Sequence, residues 1–133
     1  MTKWNEKVRV PLGIFSVELP ATLVKRPGDA VDSVAAVFEG GGLSVVVDQG
    51  PFSDRLTSHV GRPDHREEAA EIAGVAARLV FFRTPADGTY TVAAHLPGPN
   101  GLTVVVSAAE TIPEQIARNI VESVEPMTPE EDR

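Results

Sequence analysis

The sequence predicts an α+β fold, with an antiparallel sheet of about six strands, one helix packed on it near the C-terminus and room for a further helix on the other face. Short apolar runs alternate with polar residues between glycine- and proline-rich turns, a pattern typical of β-hairpins. One hairpin recurs: residues 34–36 and 43–47 return as 92–94 and 102–106, with Val-Ala-Ala in both first strands and Leu-Ser/Thr-Val-Val-Val in both second strands. Residues 112–124 instead place apolar side chains at helical spacing, which predicts the helix.

The repeat keeps a nearly constant offset. Its first strand recurs after 58 residues and its second after 59, which one extra loop residue explains. Either an internal duplication or the few residue types that hairpins use accounts for the match, and both explanations predict the same sheet. Alternate residues of a strand share a face. The inward faces give the predicted core: Val34, Ala36, Phe38, Leu43, Val45, Val47, Tyr90, Val92, Ala94, Leu96, Leu102, Val104 and Val106.

Further strands are predicted before the first hairpin. Residues 8–10 form a short extended run, and Phe15–Pro20 alternates until its proline ends the strand. A brief extension follows at 22–25, before a turn. The inward residues of the longer strand are Phe15, Val17 and Leu19.

The segment from 64 to 74 has two interpretations. Asp64 with Glu67 fits a helix-capping pattern, and Ala, Glu and Arg favour a helix that ends at Gly74. If Gly74 instead lies in a tight turn, 68–72 pairs with 76–83 as a hairpin, with Leu79 and Phe81 inward. We favour the hairpin.

A C-terminal helix is predicted from a capping box, Thr111 to Glu114, that has proline in the first turn. Pro126 and Pro129 end it. We therefore expect one domain over residues 1–124, followed by a disordered acidic tail at 125–133. The helix face that covers the sheet is Ile112, Ile116, Ile120, Val121 and Val124.

Bulk composition narrows the function classes. The chain has 133 residues, no cysteine, a net charge of −7 and a pI of about 4.9. Disulfides, a thiol nucleophile and cysteine-ligated metals are therefore excluded. The acidic charge repels phosphate backbones and anionic lipid, so we expect no nucleic-acid partner and no membrane partner. The start has no apolar run of signal-peptide length, and we expect a cytoplasmic protein.

The polar residues do not form a recognisable catalytic or metal motif. His95 falls on the outward side of its strand, and His59 and His65 are six residues apart, which matches no zinc motif. Loop carboxylates and hydroxyls are more simply explained as solvated groups than as a cation site or a nucleophile. We therefore expect no catalytic residue, metal or cofactor. The carboxylates considered are Asp29, Asp32, Asp48 and Asp54, and the hydroxyls are Ser53, Thr57 and Ser58.

Outward valines give the candidate protein-binding residues. Val37, Val46 and Val105 point away from the predicted core, and a large apolar surface usually marks an interface. Phe52 is the apolar side chain of the longest irregular stretch, 48–63, where it either binds a partner or anchors the loop.

The order of elements resembles the PsbP and DcrB-like superfamily, which includes the Mog-one nuclear-import factor. The resemblance covers residues 14–124: a strand ending in Leu-Pro at 19–20, a Phe-containing strand before a Gly-rich turn, the Ile72-to-Ala76 step, a hairpin ending at 102–106 and a C-terminal helix. It implies an antiparallel sheet with helices on its faces and favours the hairpin at Gly74. It also implies protein binding without catalysis, but transfers no functional residue.

Three hypotheses follow for function. The first is a non-catalytic protein-binding module, or an accessory or chaperone-like factor, that uses the outward valines or the 48–63 stretch. The second is a small-molecule binder or enzyme with a pocket between sheet and helix, which would be favoured if two or more of five residues converge in a concave pocket: His59, His65, His95, Asp48 and Asp54. The third is a homodimeric structural protein that buries the outward face.

Overall fold

The computed structural model describes residues 6–12, 15–26, 34–49, 64–97 and 101–126. These ranges hold ten strands and one α-helix, besides a short 3₁₀ turn at Pro85–Asp87. In chain order they are β1 (Lys7–Leu12), β2 (Phe15–Pro20), β3 (Val24–Arg26), β4 (Val34–Gly40), β5 (Leu43–Gln49), β6 (Arg66–Ile72), β7 (Val75–Thr84), β8 (Thr89–Leu96), β9 (Leu102–Ala109), α1 (Glu114–Glu122) and β10 (Glu125–Pro126).

The strands form two antiparallel sheets. The main sheet has seven strands in the order β3-β4-β5-β9-β8-β7-β6, and a smaller sheet has the order β1-β2-β10. The predicted α+β class, the antiparallel sheet and the C-terminal helix are confirmed. The main sheet has seven strands where about six were predicted. The smaller sheet is a further element, in which β2 pairs with β1 on one side and β10 on the other. The described residues contain no second α-helix on the other face.

One face of the main sheet carries the core, and we call it the first face. Alternate residues of the two repeated hairpins lie on it and are buried, as predicted. The smaller sheet and α1 cover this face, since Val17 of β2 and Val121 of α1 belong to the same apolar cluster as Val45, Val92 and Val104. The side chain of Val34 lies outside the described residues.

The two repeated hairpins are neighbours, because β5 pairs with β9. Their strands do not correspond as the sequence match indicates. Val47 pairs with Ala36, whereas its counterpart Val106 pairs with Val92 and not with Ala94, the counterpart of Ala36. The first hairpin turns through Gly41 and Gly42, both with positive φ, while residues 97–101 join the second pair. The prediction that a single extra loop residue distinguishes the two hairpins was therefore wrong. The pairing register shifts by two residues, and such a shift keeps every side chain on its predicted face.

The hairpin at Gly74 is confirmed. β6 pairs with β7 from Arg66 opposite Phe81 to Ile72 opposite Val75. Ala73 and Gly74 have φ values of 57° and 76°, the two positive values that a type I′ hairpin turn requires. The turn geometry and the burial of Leu79 and Phe81 outweigh the helix propensity of the segment.

The start of α1 differs from the predicted capping box. Pro113, not Thr111, is the N-cap, and no side chain caps the helix. Ile112 is buried in the core, and its carbonyl accepts a hydrogen bond from the Tyr90 hydroxyl at 2.6 Å. That contact holds Ile112 in a turn, so the helix begins two residues later than the box requires.

The end of α1 is fixed to the smaller sheet. The Ser123 hydroxyl donates to the Ile120 carbonyl at 2.7 Å and accepts from the Glu18 backbone N–H at 2.9 Å. The chain then continues into β10, whose Glu125 and Pro126 pair with β2. Ordered pairing thus extends to Pro126, past the domain end expected at 124, while 127–133 lie outside the described residues.

The main sheet ends at β6, the outermost of its described strands. Its side chains at Arg66, Glu67 and Glu71 are exposed, and Glu68 is half-buried.

No helix in the described ranges is long and apolar enough to cross a membrane.

Candidate functional site

The second face of the main sheet, opposite the first, carries a continuous row of small apolar side chains. Val37 lies opposite Val46, and Val46 lies opposite Val105. The row continues from Val105 to Ala93 and from Ala93 to Val80. Directly opposed residues have Cβ atoms about 4.5–5.5 Å apart, close enough for side-chain contact. Three residues predicted from separate parts of the sequence therefore form one surface.

Burial changes along this row. Val80 and Ala93 are buried, Val105 is half-buried and Val46 is 39% exposed. Val24, opposite Glu39 on the same face, is 64% exposed. We call the accessible end the valine patch, and define it as Val24, Val37, Val46 and Val105. It contains two of the three most exposed large apolar side chains of the described residues, the third being Val8 on β1.

A groove borders the valine patch on one side. Its volume is about 670 Å³. Ser44 and Ser107, which flank the groove, lie two residues along their strands from Val46 and Val105 and therefore share their face. The groove thus extends the apolar row toward a rim of hydroxyls and one carboxylate. It is lined by Val24, Glu39, Gly40, Gly42, Leu43, Ser44, Thr89 and Ser107.

A polar row borders the other side of the patch. Asp48, Thr103, His95 and Arg78 lie opposite one another on four successive strands. The His95 Nδ1 atom is 3.1 Å from the Thr103 Oγ1 atom, and Arg78 pairs with Glu67 at 3.6 Å. The Oδ1 atom of Asp48 is shielded from solvent, and no described residue gives it a hydrogen bond.

The predicted polar candidates converge only in part. His95 lies on the second face as expected, and it shares a row with Asp48. His65 lies apart from this row, beside the start of β6, where its Nε2 atom is 3.8 Å from Glu67 Oε1. Across the described ranges, no three histidines or carboxylates are grouped to hold a metal ion. Phe52, His59 and Asp54 lie outside the described residues, as do Asp29, Asp32, Ser53, Thr57 and Ser58.

A second cleft, of about 670 Å³, lies between β7, β8 and the start of α1. Arg83 pairs with Glu110 at 2.9 Å and with Asp64 at 3.2 Å, and Arg66 pairs with Glu114 at 3.0 Å. The second sequence hypothesis includes a pocket between sheet and helix, and His65 is among the lining residues. The sequence does not predict the ion pairs of this cleft, because they join segments that are far apart in the chain and no spacing rule connects them.

Tyr90 lines the second cleft, and the pKa of its hydroxyl is raised. Burial raises the pKa of Tyr90, the Glu114 carboxylate raises it further, and the Arg83 guanidinium opposes both. Because its hydroxyl already donates to the Ile112 carbonyl, Tyr90 supports the start of α1. We assign it a structural role.

Comparison with known proteins identifies a similar fold. No protein-family model matches the sequence, and no curated protein matches it. A crystal structure of a protein from Bacteroides thetaiotaomicron is similar, with a TM-score of 0.56 and 11% sequence identity. The match covers 96% of this chain and 50% of that protein, so this chain spans half of its length. At this identity the likeness shows a shared fold alone.

Proposed function

We propose that this chain is a non-catalytic protein-binding module, an accessory or chaperone-like factor, and that the valine patch is its docking surface. The observation that carries the proposal is the direct register of Val37, Val46 and Val105 on three neighbouring strands. Their side chains form a continuous apolar strip at the accessible end of a sheet whose first face is already covered.

The energetic argument rests on the cost of leaving that strip in water. Removing apolar surface from water contributes roughly 25 cal/mol per Å², so a docked partner gains free energy from each valine that it covers. Val24 and Val46 are the most exposed of the four, at 64% and 39%. Apolar patches rimmed by polar groups are typical of protein interfaces. The valine patch lies between the polar rim of the groove and the polar row that contains Asp48 and His95.

Two expectations from the sequence belong to the same proposal. The resemblance of residues 14–124 to the PsbP and DcrB-like superfamily supports a protein-binding role, since binding without catalysis is what its members share. A cytoplasmic site of action is the second expectation, and fractionation of cells that express the tagged chain checks it.

Affinity capture with a matched pair of variants tests the docking surface. Val46→Asp places a charge within the patch, and Val8→Asp places the same charge at a similarly exposed valine of β1, which is 50% exposed. We expect wild type and Val8→Asp to retain one stoichiometric protein, and Val46→Asp to lose it, with Val105→Asp as a second patch variant. The purified partner must then bind wild type in a one-to-one titration. Equal retention by Val46→Asp and Val8→Asp would show that the patch is not the docking surface.

The second cleft favours one alternative, a small-molecule binder with its site between sheet and helix. Its volume lies in the range of ligand pockets, and Phe81 and Tyr90 supply aromatic walls. We rank it second because Arg83 and Arg66 of its lining are already paired with carboxylates. A metabolite panel that raises the melting temperature of wild type but not of Arg83→Ala would favour this function.

A further inference from the structure

Part of the second face is buried, although no described element packs on it. Val80 and Ala93 are 0% and 1% exposed, and Phe82 is 6% exposed. The smaller sheet and α1 both pack on the first face. A sheet face without a covering layer leaves its side chains in contact with water. Another part of the molecule therefore covers these residues.

The buried side chains form a diagonal across the second face, which we call the covered band. It leads from β9 through β8 to β7. Exposed residues border it on both sides, Val46 on β5 and Arg78 on β7. The members of the covered band are Thr103, Ala93, Val80, Thr91 and Phe82.

Two solvent-shielded atoms lie at the ends of the covered band. At one end Asp48 lies opposite Thr103, and its Oδ1 atom is closed to solvent. At the other end, extending the register of β6 by one residue places His65 opposite Phe82, and the Nε2 atom of His65 is closed to solvent. Asp48 and His65 lie two residues before and two residues after the stretch 50–63. The band therefore runs from the strand that this stretch leaves to the strand that it enters.

The topology requires this stretch to cross the main sheet. Four antiparallel pairings separate β5 from β6, so the two strands run parallel and need a crossover connection. Gln49 and Asp64 lie at opposite ends of the sheet, about six residues apart along the strand direction. With about 4.8 Å between strands and about 3.3 Å per residue, the direct path is on the order of 28 Å. Fourteen extended residues reach about 46 Å, so the stretch can follow the diagonal.

The other ranges outside the described residues cannot reach the centre of the band. The range 27–33 joins the neighbouring strands β3 and β4, and β4 is about 19 Å from β7. Seven residues that join neighbouring strands project at most about 12 Å from them. The range 98–100 is shorter still. The ranges 1–5, 13–14 and 127–133 all adjoin the smaller sheet, which lies over the first face.

We propose that residues 50–63 of this chain occupy the covered band and pack their apolar side chains on it. The stretch supplies those side chains at a regular interval. Phe52, Leu56 and Val60 recur at every fourth position, a spacing that is typical of one apolar side of a helix. This inference goes beyond the proposed function. It assigns Phe52 to the anchoring of its own segment, and it leaves the valine patch as the part of the second face that is open to a partner.

Engineered disulfides test the proposal, because the chain has no cysteine and each introduced pair is unique. Ala93→Cys is combined in turn with Phe52→Cys, Leu56→Cys and Val60→Cys. Ala94→Cys is the matched control, since Ala94 is the next residue of β8 and is buried on the first face. Cysteines whose Cα atoms are more than about 7 Å apart cannot bridge. We expect at least one Ala93→Cys pairing to form a bridge within one chain at least about tenfold more completely than every Ala94→Cys pairing.

A melting experiment needs no substitution in the band itself. The triple variant Phe52→Ser, Leu56→Ser and Val60→Ser should lower the melting temperature by at least about 10 °C, because three buried side chains lose their transfer energy. Thr57→Ala is the control within the same stretch, and it should shift the melting temperature by less than about 2 °C.

Each outcome decides for or against this occupant. Bridges that form equally at Ala93 and Ala94, or that do not form at Ala93, would overturn the proposal, as would a triple variant that melts with the wild type. Bridges that join two chains would assign the band to a second copy and overturn it as well. The valine patch is tested separately by Val46→Asp, so failure of this inference and failure of the proposed function are distinguishable.

Discussion

Val46 lies directly opposite Val105 between β5 and β9, and the 59-residue offset of the sequence repeat maps the first of these residues onto the second. On either side of the pair, Val45 lies opposite Val106 and Val47 lies opposite Val104. The two strands are therefore related by a local two-fold axis that passes between Val46 and Val105. One position of the repeat thus contributes twice to the centre of the valine patch.

The two faces of β5 should respond differently to the loss of the same methyl groups. Val45 is fully buried on the first face, whereas Val46 is 39% exposed on the second. We expect Val45→Ala to lower the free energy of unfolding by roughly 2–3 kcal/mol, from lost transfer energy and a residual cavity. Val46→Ala should lower it by less than about 1 kcal/mol. Urea denaturation measures both, and equal losses would mean that the second face is packed as tightly as the first.

Tyr90 should titrate above the ordinary pKa of tyrosine, which is about 10. Burial is the main cause that raises its pKa, followed by the Glu114 carboxylate. Because it is the one tyrosine of the chain, the ultraviolet absorbance of phenolate reports this group alone. We expect an alkaline shift in the folded protein and none in guanidinium, and an unshifted folded protein would contradict the burial of this ring.

The same shift makes stability depend on pH. The folded state holds the phenolic proton more tightly than the unfolded state, so this contribution is complete below pH about 10 and is lost as pH rises toward the folded pKa. Tyr90→Phe should remove this alkaline dependence. It should also cost about 1–2 kcal/mol at neutral pH, since the buried Ile112 carbonyl loses its donor. Urea denaturation of both proteins at neutral and alkaline pH checks the two effects.

The hydroxyls at the two ends of α1 should differ in importance. Thr111 is exposed and does not cap the helix, so Thr111→Ala should change the free energy of unfolding by less than about 0.5 kcal/mol. If the Thr111 hydroxyl capped the helix, the same substitution would cost about 1 kcal/mol. Ser123→Ala should cost roughly 1–3 kcal/mol, because it removes the acceptor of the Glu18 N–H. A thermal melt of Thr111→Ala decides whether Pro113 or Thr111 is the N-cap, and a melt of Ser123→Ala measures the loss at the other end of the helix.

Gly74 should tolerate asparagine better than alanine. Its φ is +76°, and a Cβ atom there would meet no other atom within 4 Å, so any loss comes from backbone strain alone. We expect Gly74→Ala to cost about 1–2 kcal/mol and Gly74→Asn less, since asparagine adopts left-handed conformations more readily. Equal melting temperatures for the two variants would argue against the type I′ turn.

Much of the main sheet was predictable because its signal is local. The two-residue period of a strand assigns alternate side chains of 43–47 and 102–106 to the core, and all of the predicted inward residues there are buried. The order of the strands was not predictable in the same way, because nothing in β2 indicates that its neighbours are β1 and β10. Pairing depends on contacts between distant residues, such as the bond between Glu18 and Ser123.

The candidate site was predictable to the same extent. Alternation alone identified Val37, Val46 and Val105 as outward residues, and the register then placed them side by side. The same periodicity shows neither that Val24 joins them nor that Val80, at the other end of the row, is buried. The predicted capping box does not form because of a tertiary contact. The hydrogen bond from the Tyr90 hydroxyl to the Ile112 carbonyl holds Ile112 in a turn.

The acidic outer strand β6 also limits how this chain can associate with itself. An antiparallel pairing of two copies centred on Ala69 would set Glu67 against Glu71, and one centred on Glu68 would set that residue against its own copy. Like charges directly opposed across two strands are destabilising, and charged outer strands resist edge-to-edge pairing. Two molecules that meet at β6 therefore repel each other where their backbones could otherwise form hydrogen bonds. The charges of β6 thus protect the main sheet from extension by a second copy at this edge.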